Sequence, residues 1–200
     1  MKKLLNQIST AFAAVLLTGG LMLSGAQAKT IRIALAETPS DELAAVFVAL
    51  DRAKALGLEE VVAASSRGYT GHKVLDVFKG FKVVIVTYHN GFKQPFESVM
   101  PASVRMDLEK KGATVISATH ALSGVERSLF NKYSGAYPVL IIADTLRLFG
   151  QGTKVAVEVA IMATDGGTLS GNDIVSIGGT GKGADTALIL KPANQSQLFD

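Results

Sequence analysis

Residues 61–73 have the residue types and spacing of an anion-binding turn. They read V-V-A-A-S-S-R-G-Y-T-G-H-K, which is typical of a buried strand, a tight turn and the start of a helix. The first N–H groups of a helix have no intrahelical partner, and the helix dipole places partial positive charge there. Hydroxyl and cationic side chains strengthen the interpretation: Ser65, Ser66, Thr70, Arg67 and Lys73. Residues 65–70, the hydroxyl turn, are therefore predicted to hold a phosphate or carboxylate. The alternative is a turn whose Ser and Thr only cap the helix.

A second glycine-rich stretch, G-G-T-G-K-G over residues 178–183, is called the glycine loop. It lacks the P-loop pattern G-x-x-x-x-G-K-[ST], because Lys182 is followed by Gly183 and the loop joins two predicted strands. No helix or βαβ unit follows it, which excludes a dinucleotide-binding turn. Its N–H groups and Lys182 could approach a ligand. The alternative is a hairpin loop without a ligand.

The chain has three histidines and no cysteine, and their spacing matches no metal motif. The sequence therefore predicts neither a metal site nor a cofactor. His89 and His120 each follow the carboxyl end of a predicted strand, where open α/β sheets hold their sites. They are the candidate acid–base residues. The alternative is that each only forms hydrogen bonds within its loop.

Five further polar residues come into consideration as possible parts of a catalytic or binding site. No G-x-S-x-G motif occurs, and Ser123 is not expected in the strand–turn–helix context of a nucleophile. Glu126 and Arg127 are expected to form an ordinary helical pair. Glu158 and Asp165 lie in or near an apolar helix, so one of the two is expected to be buried and partnered.

The elements that position these residues alternate between strand and helix. Strands are predicted over residues 30–35, 59–64, 82–88, 113–117, 173–177 and 184–190. Helices are predicted from Ser40 to Gly57 and over residues 70–78, 101–111, 138–149 and 154–165. For residues 154–165 the alternative is a strand, because the segment contains β-branched residues, but its length favours a helix. The apolar face of the first helix is expected to contain Leu43, Val46, Phe47 and Leu50. This alternation predicts a mostly parallel α/β sheet, with a final hairpin that makes the last strand antiparallel.

Residues 1–28 are predicted to be a cleaved signal peptide. Lys2 and Lys3 precede an apolar stretch, and Ala26-Gln27-Ala28 matches an A-x-A cleavage site. The alternative is an uncleaved anchor. Cleavage after Ala28 would leave one domain, residues 29–200, in the periplasm or outside the cell, without a membrane attachment. The formal charge of +3 falls once two signal-peptide lysines are removed. No basic stripe interleaves with aromatic residues, which argues against a nucleic-acid partner.

Several motifs resemble one known family. Residues 61–73, 84–87 and 171–186 resemble the C-terminal domain of pyruvate kinase. The match is closer to a group of stand-alone proteins similar to that domain, and its motifs are V-T-Y-H-N-G-F at 86–92, H-A-L-S-G-V-E-R-S at 120–128, F-G-Q-G at 149–152 and G-A-D-T-A at 183–187. The resemblance covers residues 38–200 and implies a three-layer α/β/α domain. Its mixed five-stranded sheet would have the order 3-2-1-4-5, with the last strand antiparallel and strand 30–35 an addition.

The resemblance also implies a site. In some pyruvate kinases the corresponding turn and loop hold an allosteric sugar phosphate, which assigns ligand binding here to Ser65, Ser66, Arg67, Gly68, Thr70, Thr180, Gly181 and Lys182. It implies no kinase activity, because the catalytic barrel needs about 200 residues or more. The chain is thus expected to be an exported module that binds a small phosphorylated or anionic molecule. The alternatives are an enzyme of unknown reaction that uses His89 or His120, and an oligomerisation or interaction domain that forms a homo-oligomer.

Overall fold

One mixed sheet forms the centre of the fold. The computed structural model describes residues 32–35, 44–181 and 183–199. The strands of this part are β1 (Arg32–Leu35), β2 (Glu60–Ala64), β3 (Lys82–Thr87), β4 (Thr114–Ser117), β5 (Ile174–Gly178) and β6 (Thr186–Leu190), in the order β1-β6-β5-β2-β3-β4. β4, β3, β2 and β5 run parallel, and β6 pairs antiparallel with both β5 and β1.

The helices of the described residues cover both faces of this sheet. They are α1 (Ala44–Ala55), α2 (Tyr69–Val77), α3 (Ala102–Lys110), α4 (Gly124–Tyr133), α5 (Pro138–Arg147) and α6 (Gln151–Asp165), with a short 3₁₀ helix at Gln195–Gln197. The predicted fold is confirmed: β2 to β6 form the five-stranded sheet of order 3-2-1-4-5, and β1 adds a strand beside β6. The predicted signal peptide, residues 1–28, lies outside the described residues.

The central strands are apolar because both of their faces are covered. On one side, Val61 and Ile85 pack in a cluster with Phe78, which directly follows α2, and with Leu108 of α3. On the other side, residues from the same strands, such as Val62 and Val84, pack with residues of α5 and α6. Because successive side chains of a strand alternate between faces, a continuous apolar sequence supplies both cores. This packing produces the three layers.

The exposed side of α1 differs from the prediction. Phe47 was expected on the apolar face, but 53% of it is exposed, while Val46, Ala49 and Ala53 are buried. The prediction for Phe47 is wrong because the side of α1 that meets the sheet is lined with alanines, whose small side chains permit close packing. Leu43 lies outside the described residues.

The start of α6 lies directly on the carboxyl end of β5. Gly178 has no β-carbon, and one added there would overlap the carbonyl oxygen of Gly152 and lie 2.7 Å from the nitrogen of Ala156. The hydroxyl of Ser176 donates a hydrogen bond to the carbonyl of Ala156, at 2.6 Å. These contacts fix the first turn of α6 at the edge of the sheet where the parallel strands end.

Candidate functional site

A cavity of about 890 Å³ opens at the carboxyl ends of the parallel strands. It is lined by the hydroxyl turn after β2, the segments after β3 and β4, the first turns of α4 and α6, and the glycine loop after β5. The chain runs outward from β2 through β3 to β4 and then returns to β5 on the other side of β2. Such a switch in strand order leaves a crevice, and ligands of open α/β sheets bind there.

The hydroxyl turn is held by its own hydrogen bonds. Ser65 Oγ accepts the N–H of Gly71, at 3.1 Å, and thereby caps α2. Thr87 Oγ1 donates to the carbonyl of Ser66, at 3.1 Å, which ties the turn to the end of β3. Gly68 has a φ of 97°, and a β-carbon there would overlap Val104, so only glycine suits this position. Ser65 thus performs the capping role that the alternative interpretation gave to the turn.

The residues predicted to bind a ligand fall into two groups. Ser65, Ser66, Thr70 and Gly181 line the cavity, so the hydroxyl turn and the glycine loop do meet there. Arg67, Gly68 and Thr180 are not part of its lining. Arg67 is exposed, and the N–H of Thr180 is bonded to Asp185 Oδ2, at 3.0 Å. Lys182 lies outside the described residues.

The two candidate histidines lie in contact with each other. His89 Nδ1 and His120 Nδ1 are 2.9 Å apart, and both rings line the cavity. Beside them, the rings of Tyr88 and Phe92 stack at 3.9 Å between centroids, and Phe92 is 5.4 Å from His120. Burial lowers the pKa of His120, as does the neighbouring His89, while the Glu158 carboxylate opposes the shift. The His120 ring is therefore neutral at neutral pH. His72 lies elsewhere, with Nε2 3.7 Å from Asp107 Oδ2.

A buried ion pair forms part of the cavity wall. Lys154 and Glu158 are one turn apart on α6, and their side chains are only 6% and 3% exposed. Lys154 Nζ bonds to Glu158 Oε2, and Glu158 Oε1 accepts the N–H of Leu122, at 3.0 Å. The expectation that Glu158 or Asp165 is buried and partnered is confirmed for Glu158. Burial lowers the pKa of Lys154, and the nearby arginines act in the same direction, while Glu158 opposes them.

Two arginines complete the charged lining. Arg127 of α4 reaches the cavity and lies 5.5 Å from the ring centroid of Phe130. Arg147, at the end of α5, also lines the cavity and donates to Gln151 Oε1, at 2.7 Å, and to Asp144 Oδ1, at 2.5 Å. Sequence reasoning missed both arginines and Lys154, because they come from three different helices. The available signal was a Lys and a Glu four residues apart in an otherwise apolar helix.

Two predictions about α4 are wrong. Ser123 does lie in a strand–turn–helix context, because it precedes the first residue of α4 in the connection from β4. Among the described residues, however, no hydrogen bond joins its hydroxyl to a histidine, so the geometry of an activated nucleophile is absent there. Glu126 does not pair with Arg127. Its Oε2 accepts the N–H of Val139, at 2.8 Å, and so ties α4 to the start of α5.

Two negative findings concern only the described part of the chain. Its His, Asp and Glu side chains include no group of three placed to hold a metal ion. Its helices include none with the length and apolar character needed to span a membrane.

A comparison with protein families identifies the fold. Residues 44–190 match the model of the pyruvate kinase alpha/beta domain, and this range contains every helix from α1 to α6 and the strands β2 to β6. The chain belongs to this family. The resemblance stated from the motifs is therefore confirmed, and β1 lies outside the matched region.

Solved pyruvate kinases are similar to this alpha/beta domain at low identity. A pyruvate kinase from Cryptosporidium parvum is 11% identical, with a TM-score of 0.42, over 79% of this chain and 24% of that one. The pyruvate kinase of the same organism in complex with ADP is also 11% identical, with a TM-score of 0.39, over 80% of this chain and 25% of that one. The chain spans about a quarter of the length of these enzymes. The family assignment rests on the sequence match and not on these two scores.

Proposed function

We propose that this alpha/beta domain binds a small phosphorylated or otherwise anionic molecule in the cavity at the carboxyl edge of its sheet. The observation that carries the proposal is the charge of the lining. Three cationic side chains, those of Arg127, Arg147 and Lys154, reach one cavity, whose only lining carboxylate among the described residues is Glu158. Cations gathered in a cleft with low-dielectric walls focus a positive potential on it, and this attracts anions.

The hydroxyl turn supports the same proposal. The first helical hydrogen bond of α2 runs from the N–H of His72 to the carbonyl of Gly68, so the N–H groups of Tyr69 and Thr70 precede it. The Thr70 side chain lines the cavity beside Ser66. The start of α6 supplies a second helix N-terminus at the cavity, and helix N-termini favour anions. We therefore expect the ligand to contact Ser66, Thr70, Arg127, Arg147 and Lys154.

Calorimetric titration with inorganic phosphate, sulfate and a sugar phosphate tests this proposal. The informative variants are Arg127→Gln and Arg147→Gln, and the matched control is Arg67→Gln, because Arg67 is exposed and outside the cavity lining. Loss of one charge-assisted contact worth about 1.5–3 kcal/mol should weaken binding about 10- to 100-fold. Arg67→Gln should bind like the wild type. The proposal fails if no anion binds below millimolar, or if Arg67→Gln weakens binding as much as the cavity variants do.

We also propose that the domain by itself does not transfer phosphoryl groups and that it is exported. The family match concerns the alpha/beta domain, and the chain spans about a quarter of the pyruvate kinases it resembles. A coupled assay for pyruvate formation from phosphoenolpyruvate and ADP should show no activity above the buffer control. Mass spectrometry of the protein from a periplasmic or culture fraction should show a chain that begins after Ala28. A full-length chain in the cytoplasm would refute export.

An acid–base enzyme is the second candidate function, and the contact between His89 and His120 at the cavity favours it. General acid–base catalysis needs a group that titrates near neutral pH within reach of the substrate. A panel of phosphate esters and lactones should be assayed with the wild type and with His89→Ala and His120→Ala. A turnover that both substitutions leave unchanged would exclude the pair from the mechanism.

A homo-oligomer is a third proposal, and α4 supports it. This helix buries none of its residues, and its apolar residues Val125 and Tyr133 are 73% and 64% exposed. Light scattering should show a mass above the monomer, and Val125→Ser with Tyr133→Ser should lower it. A monomeric wild type would refute the proposal.

A further inference from the structure

The histidine pair and the cation cluster lie in one cavity, and together they indicate which class of anion the site takes. We propose that the site binds a tetrahedral dianion, such as a phosphate monoester or sulfate, and that the His89–His120 pair takes up one proton when the dianion binds. This inference rests on the proposed anion site. It adds the charge of the ligand and a dependence of affinity on pH.

The contact between the two rings limits the pair to a few protonation states. With Nδ1 facing Nδ1 at 2.9 Å, one nitrogen carries the proton and the other accepts it. The neutral pair therefore presents one Nε2–H and one bare Nε2. Uptake of a single proton converts the bare Nε2 into a donor, so the charged pair presents two N–H groups. A second proton would place two N–H groups against each other, and the geometry does not accommodate that.

An anion therefore favours the singly protonated pair for two reasons. The opposite charge stabilises the imidazolium, and the new Nε2–H is a donor where the neutral pair has a lone pair that repels an anionic oxygen. Without a ligand, burial lowers the pKa of His120 and favours its neutral form. The binding of an anion reverses this preference, so proton uptake and anion binding are coupled.

The charged groups around the pair indicate which ligand charge the site favours. From α6, Glu158 favours protonation of His120 and Lys154 opposes it. From the segment after β3, the aromatic rings of Tyr88 and Phe92 lie beside His120. Across the cavity, Lys154 is paired with Glu158 and Arg147 with Asp144, which leaves Arg127 as the lining cation without a carboxylate partner among the described residues. Asp144 meets Arg147 from outside this lining. A dianion matches the charge of Arg127 together with that of the singly protonated histidine pair, whereas a carboxylate ligand would leave one of these charges unmatched.

Calorimetry with sulfate tests the inference, because sulfate keeps both charges from about pH 8.5 to about pH 5.5, the range in which histidine titrates. Wild-type protein should bind sulfate more tightly as the pH falls, with a change of up to about tenfold per pH unit. Titrations in two buffers of different ionisation enthalpy should show uptake that approaches one proton per sulfate. Acetate, a monoanion, should bind more weakly and take up less.

The third histidine provides the matched control. His89→Gln/His120→Gln should still bind sulfate, with about the weaker affinity that the wild type shows at the alkaline end of this range, but should lose the pH dependence and the proton uptake. His72→Gln should keep both, because His72 lies against Asp107 outside the cavity lining. If this double variant does not fold, the proton count of the wild type stands alone as a test.

The outcomes separate the two proposals. If wild-type protein binds no sulfate at any pH, the anion site itself is refuted. If it binds sulfate with no proton uptake, or if His89→Gln/His120→Gln retains the full pH dependence, the site stands and the proton-coupled dianion is refuted. A pH dependence that persists without the two histidines would mean that another group, such as Lys154, takes up the proton.

Discussion

Removal of one partner from the buried Lys154–Glu158 pair should destabilise the protein far more than removal of both. Lys154→Met would leave the Glu158 carboxylate only 3% exposed and without its cation. An uncompensated buried charge of this kind costs about 3–5 kcal/mol. In Lys154→Met/Glu158→Gln the charge is gone, and the side-chain oxygen of the substituted glutamine can still accept the N–H of Leu122. The double variant should therefore lie within about 1 kcal/mol of the wild type, or be more stable.

Urea unfolding followed by circular dichroism measures these differences. With a slope of about 2 kcal/mol per molar urea, Lys154→Met should lower the midpoint by about 2 M, and the double variant should restore it. The control is Lys111→Met, which removes the cation of an exposed pair with Asp107 that has the same i, i+4 spacing. Its midpoint should stay within error of the wild type, because water solvates the exposed carboxylate.

The pH dependence gives a second check on the same pair. In Glu158→Gln, Lys154 is buried without its carboxylate, so its pKa, already lowered by burial, should fall further. As the pH falls from about 10, Lys154 is protonated in the unfolded state before it is protonated in the folded state, so the free energy of unfolding should decrease. The reasoning is refuted if Lys154→Met costs less than about 1 kcal/mol, or if the double variant loses the sum of the two single losses. Either result would mean that water reaches the pair.

Two further predictions concern stability away from the charged lining. Gly178→Ala should destabilise the protein by about 1–3 kcal/mol in thermal unfolding, because the new β-carbon overlaps the carbonyl of Gly152; a stabilising effect would contradict the close contact of α6 with β5. Burial tends to raise the pKa of Glu60, but hydrogen bonds from Lys82 and Ser170 outweigh it and hold the pKa below its usual value. The stability contributed by Glu60 should therefore be lost as the pH falls below about 4.5. In Glu60→Gln, the urea midpoint should consequently decrease less over this acidic range than it does in the wild type.

Much of the fold could be predicted from local patterns. The strands β2 and β3 are continuous apolar sequences because both faces of a parallel sheet are covered, and the length and period of α6 indicate a helix. The order of the strands came from the resemblance and not from periodicity, since the apolar pattern of a strand does not specify its neighbours. The prediction for Phe47 was wrong because helical spacing alone does not show which alanines approach the sheet.

The candidate site was only partly predictable. The sequence placed His89 and His120 after two strands, and parallel strands of one sheet end at a common edge, so their proximity followed from topology. Their Nδ1–Nδ1 contact depends on the paths of two loops, which no local pattern determines. The predicted ligand residues Ser65, Ser66 and Thr70 line the cavity, whereas Arg67 is exposed, because the direction of a side chain in a tight turn depends on backbone angles such as the positive φ of Gly68.

The sequence by itself determined the fold class, the family resemblance and the two loops that meet at the switch in strand order. Local sequence patterns contain this information, because side chains return to the same face of a helix or a strand with a fixed period. The tertiary structure alone decided that Lys154, Arg127 and Arg147 share one cavity with Glu158. These side chains come from three helices, and the packing that brings them together depends on contacts such as Gly178 against Gly152, which join residues that are far apart in the sequence.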